Sequence, residues 1–475
     1  MPAPERPLHL YYIAPFFTSP GAYPLPPRSA PPRASEAPSS PAAVLAELYA
    51  AATAAVNPGP ALARRLAALP AGAPAPWILA LGKAALPMAQ AAVETLAARS
   101  AEPAGGLIVP PAAAASPHHR LRVVPGDHPE PGAGSLAAAE ALGDVAARAS
   151  AGGEVWVLLS GGTTSLLGAP VEGITPADLT GLYALLLGSG LDITAMNRIR
   201  KRFSRWGGGR LALALAPAPV RVYIVSDVIG DDLASIGSGP CVPDPSTARE
   251  VRELLERSRL WERIPESARR QVRDACDGTK AETPKPGDPA FARVTLELIA
   301  SNGLALEAAA KRAAELGLVP VVEHTPLAGE AAGAGASVAA TLLQDYAARR
   351  VPQRGCRIWG GETTVTFGET PPGLGGRCQE LALSAARALA GSPPGVALLA
   401  AGTDGRDGPT DAAGAIIDGT TWSAVAAAGR DPARDLAAHD AYRALDAAGV
   451  LLRPGLTGTN VMDVVIGVCL EARNE

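Results

Sequence analysis

Aromatic residues are scarce, at 4% of the 475 positions, so a base-stacking platform for single-stranded nucleic acid is not expected. A dominant charge sign is lacking too. Lys and Arg number 42 against 46 Asp and Glu, a formal net charge of −4 with no footprint for a polyanion, so nucleic acid is excluded as a partner. The five cysteines (Cys241, Cys276, Cys356, Cys378, Cys469) are odd in number and form no Cys-x-x-Cys pair. That argues against a disulfide framework or a zinc site and fits a reducing cytoplasm. No run of about 18 apolar residues escapes charge or proline, so no membrane span is expected. The apolar run at residues 8–17 is broken by Pro15 and lacks a signal-peptide cleavage pattern. A Walker A motif is missing as well: Gly82-Lys83 has neither the upstream Gly nor the following Ser or Thr. Gly333-x-Gly335 sits inside a helix-like run and is no dinucleotide fingerprint.

What is present is an α/β pattern long enough for two cores. Residues 1–40 are crowded with Pro, Ser and Ala and are expected to form a flexible lead-in. From residue 41, helical stretches alternate with short apolar runs at 77–81, 107–109, 155–159, 222–225, 357–359 with 363–367, and 396–400. This is the signature of βαβ units. The polar, Pro- and Gly-bearing segment 277–289 divides two such blocks. The expectation is a Rossmann-like doubly wound parallel sheet over 41–288 and a smaller mixed-sheet α/β domain over 289–475, opened by an amphipathic helix at 301–316.

In open α/β sheets ligands bind beyond the carboxyl ends of strands. Four polar tips follow strands here. Leu81-Gly82-Lys83 offers a lone cation, which could equally be a solvated Lys at a helix start. Ser160-Gly161-Gly162-Thr163-Thr164 combines glycines with hydroxyls before a helix, a cradle for phosphate or carboxylate. Asp227, Asp231 and Asp232 place carboxylates beyond a buried strand, suited to a cation or to proton abstraction, with helix capping the simpler role for the last two. The run from Gly402 to Asp411, with Asp404 and Asp407, follows the last strand and is preceded by Gly360-Gly361-Glu362 and by Gly375-Gly376-Arg377. A guanidinium on a glycine loop suits a bidentate clamp on phosphate; the plainer alternative is that Arg377 pairs with a nearby carboxylate such as Glu380. Among the histidines only Asp127-His128-Pro129 has a suggestive context, and a loop or capping role is the simpler reading.

Residues 160–169, Asn197-Arg198-Ile199-Arg200-Lys201, 226–240, Gly360-Gly361-Glu362-Thr363-Thr364, Gly375-Gly376-Arg377-Cys378-Gln379-Glu380, 403–414 and Thr457-Gly458-Thr459-Asn460-Val461-Met462-Asp463 together resemble the class II glycerate 2-kinases. That family carries a C-terminal domain called MOFRL, and the similarity spans about residues 44–468. The resemblance implies transfer of the ATP γ-phosphate to D-glycerate, giving 2-phosphoglycerate, in a cleft between the two domains, with ATP and Mg²⁺ required. It implies catalytic roles for Lys83, Asp227, Arg377 and Asp404. Lys83 and Arg377 would neutralise the phosphoryl group, and Asp227 would orient or deprotonate the glycerate hydroxyl. Asp404, Glu362 and Asp407 would face Mg²⁺. Ser160, Gly161, Gly162, Thr163, Thr164, Asn197, Arg200, Gly375 and Gly376 would hold the glycerate carboxylate or the phosphates. Cys378, Arg202 and Trp206-Gly207 depart from the family pattern of Asn, His and Lys at those places. A cytoplasmic monomer or homodimer is expected. The competing readings are a hydroxypyruvate reductase-type oxidoreductase, or a non-catalytic nucleotide- or metabolite-binding regulator.

Overall fold

The computed structural model of the protein describes residues 40–70, 74–347, 354–368 and 371–470. The chain divides into two compact units: a central one, Asn57–Ser301, and a terminal one built from the residues up to Val56 and from Asn302 onward.

The central unit is organised by six strands: β1 (Trp77–Leu81), β2 (Gly105–Val109), β3 (Leu121–Val123), β4 (Val155–Leu159), β5 (Val220–Val225) and β6 (Val294–Ala300). All pair in parallel, in the order β3-β2-β1-β4-β5-β6. The inner strands β2 and β4 are buried along their whole length, as unbroken apolar runs covered on both faces must be. Helix Ala133–Ser150 lays Leu142, Val145 and Ala146 onto one core with Leu79, Val157 and Ile224. A satellite core joins helices Pro176–Leu187, Ile193–Phe203, Ala248–Arg257 and Glu266–Cys276 through Leu182, Ile199, Phe203, Val251 and Val272. The strand order reverses direction between β1 and β4, the place where such sheets open a crevice at their carboxyl ends.

The terminal unit holds β7 (Val319–Val322), β8 (Arg354–Gly361), β9 (Val396–Gly402), β10 (Gly414–Asp418), β11 (Leu451–Leu452) and β12 (Asp463–Leu470). Their order is β11-β10-β9-β12-β8-β7, with β7 and β8 parallel and every other neighbour antiparallel. The expected α/β fold, one parallel and one mixed sheet, is therefore found.

The boundaries differ from those expected. Val220↔Val294 pairing makes β6 the edge of the parallel sheet, so the division falls after Ser301 and not at residues 288/289. Helix Pro41–Ala55, expected in the first domain, belongs to the terminal unit. It buries Leu45, Leu48, Tyr49 and Ala52, packs on helix Asn302–Glu315 and on β9 and β12, and pairs Glu47 with Arg312. The expected lead-in lies outside the described residues apart from Ser40, whose hydroxyl accepts the Ala43 N–H and caps this helix. The strand expected at 363–367 does not form. Thr364 makes a single bridge to Glu330, and the Glu330 carboxylate accepts the Thr366 N–H and hydroxyl instead of leaving that segment to a sheet. The helix expected at 301–316 is present as Asn302–Glu315. Among the described residues no helix is long and apolar enough to cross a membrane.

Helix Ala331–Ala347 crosses helix Arg377–Leu389 at Gly335, where a Cβ would collide with the Leu381 carbonyl, whereas Gly333 on the exposed side meets nothing. Gly335→Ala should therefore cost about 1–3 kcal/mol by overpacking. Gly333→Ala should gain about 0.4–1 kcal/mol by restricting the unfolded chain. Urea unfolding of the two variants checks the opposite signs.

Candidate active site

In the central unit, three of the four expected strand tips meet at the switch point. Gly82 follows β1 with φ +113, and a side chain there would collide with Ser160 after β4. The two tips are laced together by hydrogen bonds: Lys83 N–H donates to Gly161 O (2.9 Å) and Ala84 N–H to the Ser160 hydroxyl oxygen (3.0 Å). A Cβ on Gly161 would collide with the carboxylate of Asp227, which follows β5, so glycine here lets that acid approach the loop. A Cβ on Gly162 would lie 3.2 Å from both Lys83 Cγ and His128 Cδ2. Lys83, Asp227, Gly161, Gly162 and His128 thus form one cluster. Burial raises the Asp227 pKa above the ordinary carboxylate value, with the Lys83 charge opposing it.

Not every expected phosphate donor is available. Ser160 Oγ donates to Leu81 O (3.2 Å), and the buried Thr163 hydroxyl donates to Ser160 O (2.8 Å), so both close the turn. The Thr164 hydroxyl shares a hydrogen bond with Ser238 (2.8 Å). Asn197 and Arg200 lie three residues apart on helix Ile193–Phe203. Asn197 donates to Ser235 O (3.4 Å). Arg200 stacks over the Tyr183 ring at 5.1 Å, and its Nε and the Tyr183 hydroxyl are buried without a hydrogen-bond partner. Burial lowers the Arg200 pKa. A guanidinium with an unmet donor is suited to a carboxylate or phosphate.

The terminal unit carries the remaining candidates. Register places Asp463, the first residue of β12, between Gly361 at the end of β8 and Gly402 at the end of β9. Glu362, Asp404 and Asp463 are therefore neighbours at one sheet end. Arg377 opens helix Arg377–Leu389 and reaches into this group: Nε and Nη2 donate to the two Asp463 oxygens (2.6 and 2.9 Å), and Nη1 lies 2.8 Å from Glu362 Oε1. Burial opposes the guanidinium charge, but Asp463 and Glu362 more than offset it and hold its pKa above the ordinary value. Glu380, the expected alternative partner, bonds His439 instead (2.8 Å).

Asp407 is buried and faces a helix start, accepting the N–H groups of Cys378 (3.2 Å) and Gln379 (2.7 Å). It acts as the cap of helix Arg377–Leu389, and a side chain on Gly376 would collide with it. A side chain on Gly408, at φ +59, would collide with Gly375 O. Gly375 and Gly376 thus let two loops stack. Asp404 Oδ1 accepts the Arg406 N–H (3.0 Å); burial, then Asp463, raises its pKa. Tyr49, from helix Pro41–Ala55, donates to Gly402 O (2.7 Å) and steadies the strand end from which Asp404 projects. Asp463 and Tyr49 were absent from the sequence-derived candidates. The available signal was an Asp heading an otherwise apolar strand, three residues after the end of Thr457-Gly458-Thr459-Asn460.

Among the described residues no three His, Cys, Asp or Glu side chains gather as a metal cluster. Asp404 and Glu362 still supply the hard oxygen donors that Mg²⁺ prefers, and a neighbouring cation would offset the burial and the Asp463 charge that raise Asp404. Two carboxylates fit an ion that also binds nucleotide phosphates.

Burial first and Lys83 second push the His128 imidazole down from 6.5 to about 4. Between those values the unfolded chain binds more protons than the folded one, so stability rises with pH across the window and is lost as pH falls through it. His128→Gln should flatten that rise in Tm; equal slopes in wild type and variant would refute the assignment.

Comparison with known proteins identifies the family. Residues 44–273 match the domain of unknown function DUF4147, and residues 355–463 match the MOFRL family. A glycerate 2-kinase of Pyrococcus horikoshii is 39% identical, with 84% of this chain and 88% of the relative aligned. A putative hydroxypyruvate reductase of Agrobacterium vitis is 37% identical over 89% of this chain and 93% of its own length. The crystal structure of a glycerate kinase from Thermotoga maritima superimposes with a TM-score of 0.81 at 35% identity, covering 90% of this chain and 99% of that one. With such identity over most of both partners, and with matches to both family models, the chain belongs to the class II glycerate kinase family.

Proposed function

We propose that the protein transfers the γ-phosphoryl group of ATP to D-glycerate, giving 2-phosphoglycerate and ADP. The observation that carries this reading is Asp227, its pKa raised by burial, set beside Lys83 at the open strand ends of a family member's parallel sheet. The glycerate 2-hydroxyl oxygen forms the new P–O bond, the bond from the γ-phosphorus to the bridging oxygen breaks, and ADP leaves with that electron pair. Asp227 orients the hydroxyl and takes its proton; a raised pKa brings such a base nearer its task. Lys83 supplies a point charge to the phosphoryl oxygens and Arg377 a planar donor.

Gly161, Gly162 and Thr164 contribute a turn to the anion, with Ser160 and Thr163 shaping it, and Arg200 with Asn197 holds the glycerate carboxylate. Mg²⁺, when bound with the nucleotide, offsets phosphate charge, and Asp404 and Glu362 are the residues that would hold it. Gly375, Gly376 and Asp407 support the start of the Arg377 helix rather than touching a ligand. The enzyme would work in the cytoplasm on two small molecules.

The rival reading, reduction of hydroxypyruvate, is the name borne by the Agrobacterium vitis relative. The β-sheet order is the one dinucleotide-binding enzymes use, so the fingerprint would have to follow β1. The residues there are Gly82-Lys83-Ala84-Ala85-Leu86, without the glycines that admit a pyrophosphate.

An assay of ADP formation with D-glycerate, ATP and Mg²⁺, run beside NAD(P)H oxidation with hydroxypyruvate, separates the two. Product formation should cease in excess EDTA. Asp227→Asn should lower kcat by about 10²–10⁴-fold with little change in melting temperature; a variant with unaltered kcat removes Asp227 as the base.

Arg377→Lys should behave almost like Arg377→Ala, because an ammonium cannot reproduce a guanidinium fork. Both should lose kcat on the order of 10³-fold while KM for either substrate stays nearly constant. Near wild-type kcat in the Lys variant, with only a lowered Tm, would make the arginine purely structural.

A further inference from the structure

The Arg377 guanidinium is divided between two carboxylates of different character. Asp463 takes the Nε–Nη2 edge with both oxygens, and its side chain is 7% exposed. It is fixed by pairing with Gly361 and Gly402, and Asn302 Nδ2 donates to its carbonyl (2.9 Å). Glu362 takes the Nη1 end through one oxygen, and its side chain is 41% exposed. It stands just beyond β8, with its N–H on Leu327 O (3.0 Å).

We propose that Asp463 is the positioning residue for Arg377, holding the Nε–Nη2 edge throughout turnover, while Glu362 occupies the Nη1 end as a stand-in for the incoming phosphate. This rests on the kinase reading above. Breaking the Asp463 pair would strand a buried carboxylate without its counter-charge, a costly state. Exchanging a carboxylate that is 41% exposed for a phosphate oxygen at Nη1 costs little, because ion pairs open to water contribute little. The guanidinium has five N–H donors, so a phosphate arriving at Nη1 needs only Glu362 to withdraw. Glu362 is also a proposed Mg²⁺-facing donor, so the metal-bound nucleotide gives it somewhere to go.

The test has two arms. In the first, ATP binding is measured by titration calorimetry in EDTA, where no metal draws Glu362 away. Glu362→Gln should bind metal-free ATP about 2- to 5-fold more tightly than wild type, the span of one exposed ion pair. The gain should vanish in an Arg377→Gln background, which a general loss of negative charge would not do. No gain, or a gain that persists without Arg377, overturns the stand-in role.

In the second arm, Asp463→Asn should lower kcat about 10²-fold, the scale of a misplaced catalytic group, with a smaller change in KM for ATP. Combined with Arg377→Lys it should be no worse than Arg377→Lys alone. A folded Asp463→Asn protein with wild-type kcat, or additive losses, overturns the positioning role. If that variant does not fold, Asp463→Glu, which keeps the charge but moves the carboxylate, is measured in its place with the same outcomes. A wild-type protein that phosphorylates glycerate but fails either arm defeats this inference alone. One that neither binds ATP nor phosphorylates glycerate defeats the kinase reading as well.

Discussion

The terminal unit is arranged around the need to compensate one buried acid. Asp463 opens β12 with strands on both sides, where water cannot reach it freely, and an uncompensated carboxylate there would be expensive. Arg377 is the compensation, and the loops around it follow from bringing that guanidinium to that strand end. The helix that carries Arg377 starts at the site, which leaves N–H groups at its first turn that need an acceptor. Asp407 meets two of them, and Gly376 is small enough to let it in. The strand ends are steadied in turn: Thr403 Oγ1 donates to Met462 O (2.6 Å) and accepts the Val461 N–H (2.8 Å), while Asn302 holds the carbonyls of Val461 and Asp463.

The central unit solves a related problem more sparsely. Asp227 is also an enclosed carboxylate with a cation nearby, but its cation is the flexible ammonium of Lys83 rather than a two-donor fork. A carboxylate locked in a bidentate pair keeps its orientation. One facing a lysine keeps a raised pKa and can exchange a proton. The contrast matches the division of labour proposed here, with an acid that positions in one unit and an acid that reacts in the other.

The strand tips were legible because unbroken apolar runs announce strands covered on both faces, and polar residues after them could only project from the sheet end. The unit boundary was harder. The exposed and half-exposed positions of β6 give it the weak pattern of an edge strand, so the proline-rich stretch before it looked like the stronger break. Helix Pro41–Ala55 was assigned to its sequence neighbours because nothing in its own residues names the sheet it covers. Ser160 and Thr163 were taken for ligand donors because residue type cannot reveal that a hydroxyl is consumed in closing a turn. Asp463 escaped the candidate list for a related reason. Its importance arises from antiparallel register, which brings residues some 60 and 100 positions earlier alongside it, and register is a property of the folded sheet.

The glycines show why the reactive groups cannot be separated from their loops. At Gly161 a side chain would strike Asp227, at Gly360 it would strike Asn302, and at Gly376 it would strike Asp407. In each case the space of a missing Cβ is filled by a polar side chain with a defined job. Phosphoryl transfer asks for little covalent chemistry and much placement of charge, and charges are placed best where backbone and carboxylate can touch. Adding one methyl at any of these positions would displace a polar side chain rather than merely fill a void. Their conformational cost to folding is thus offset by the precision with which three acidic or amide side chains are held.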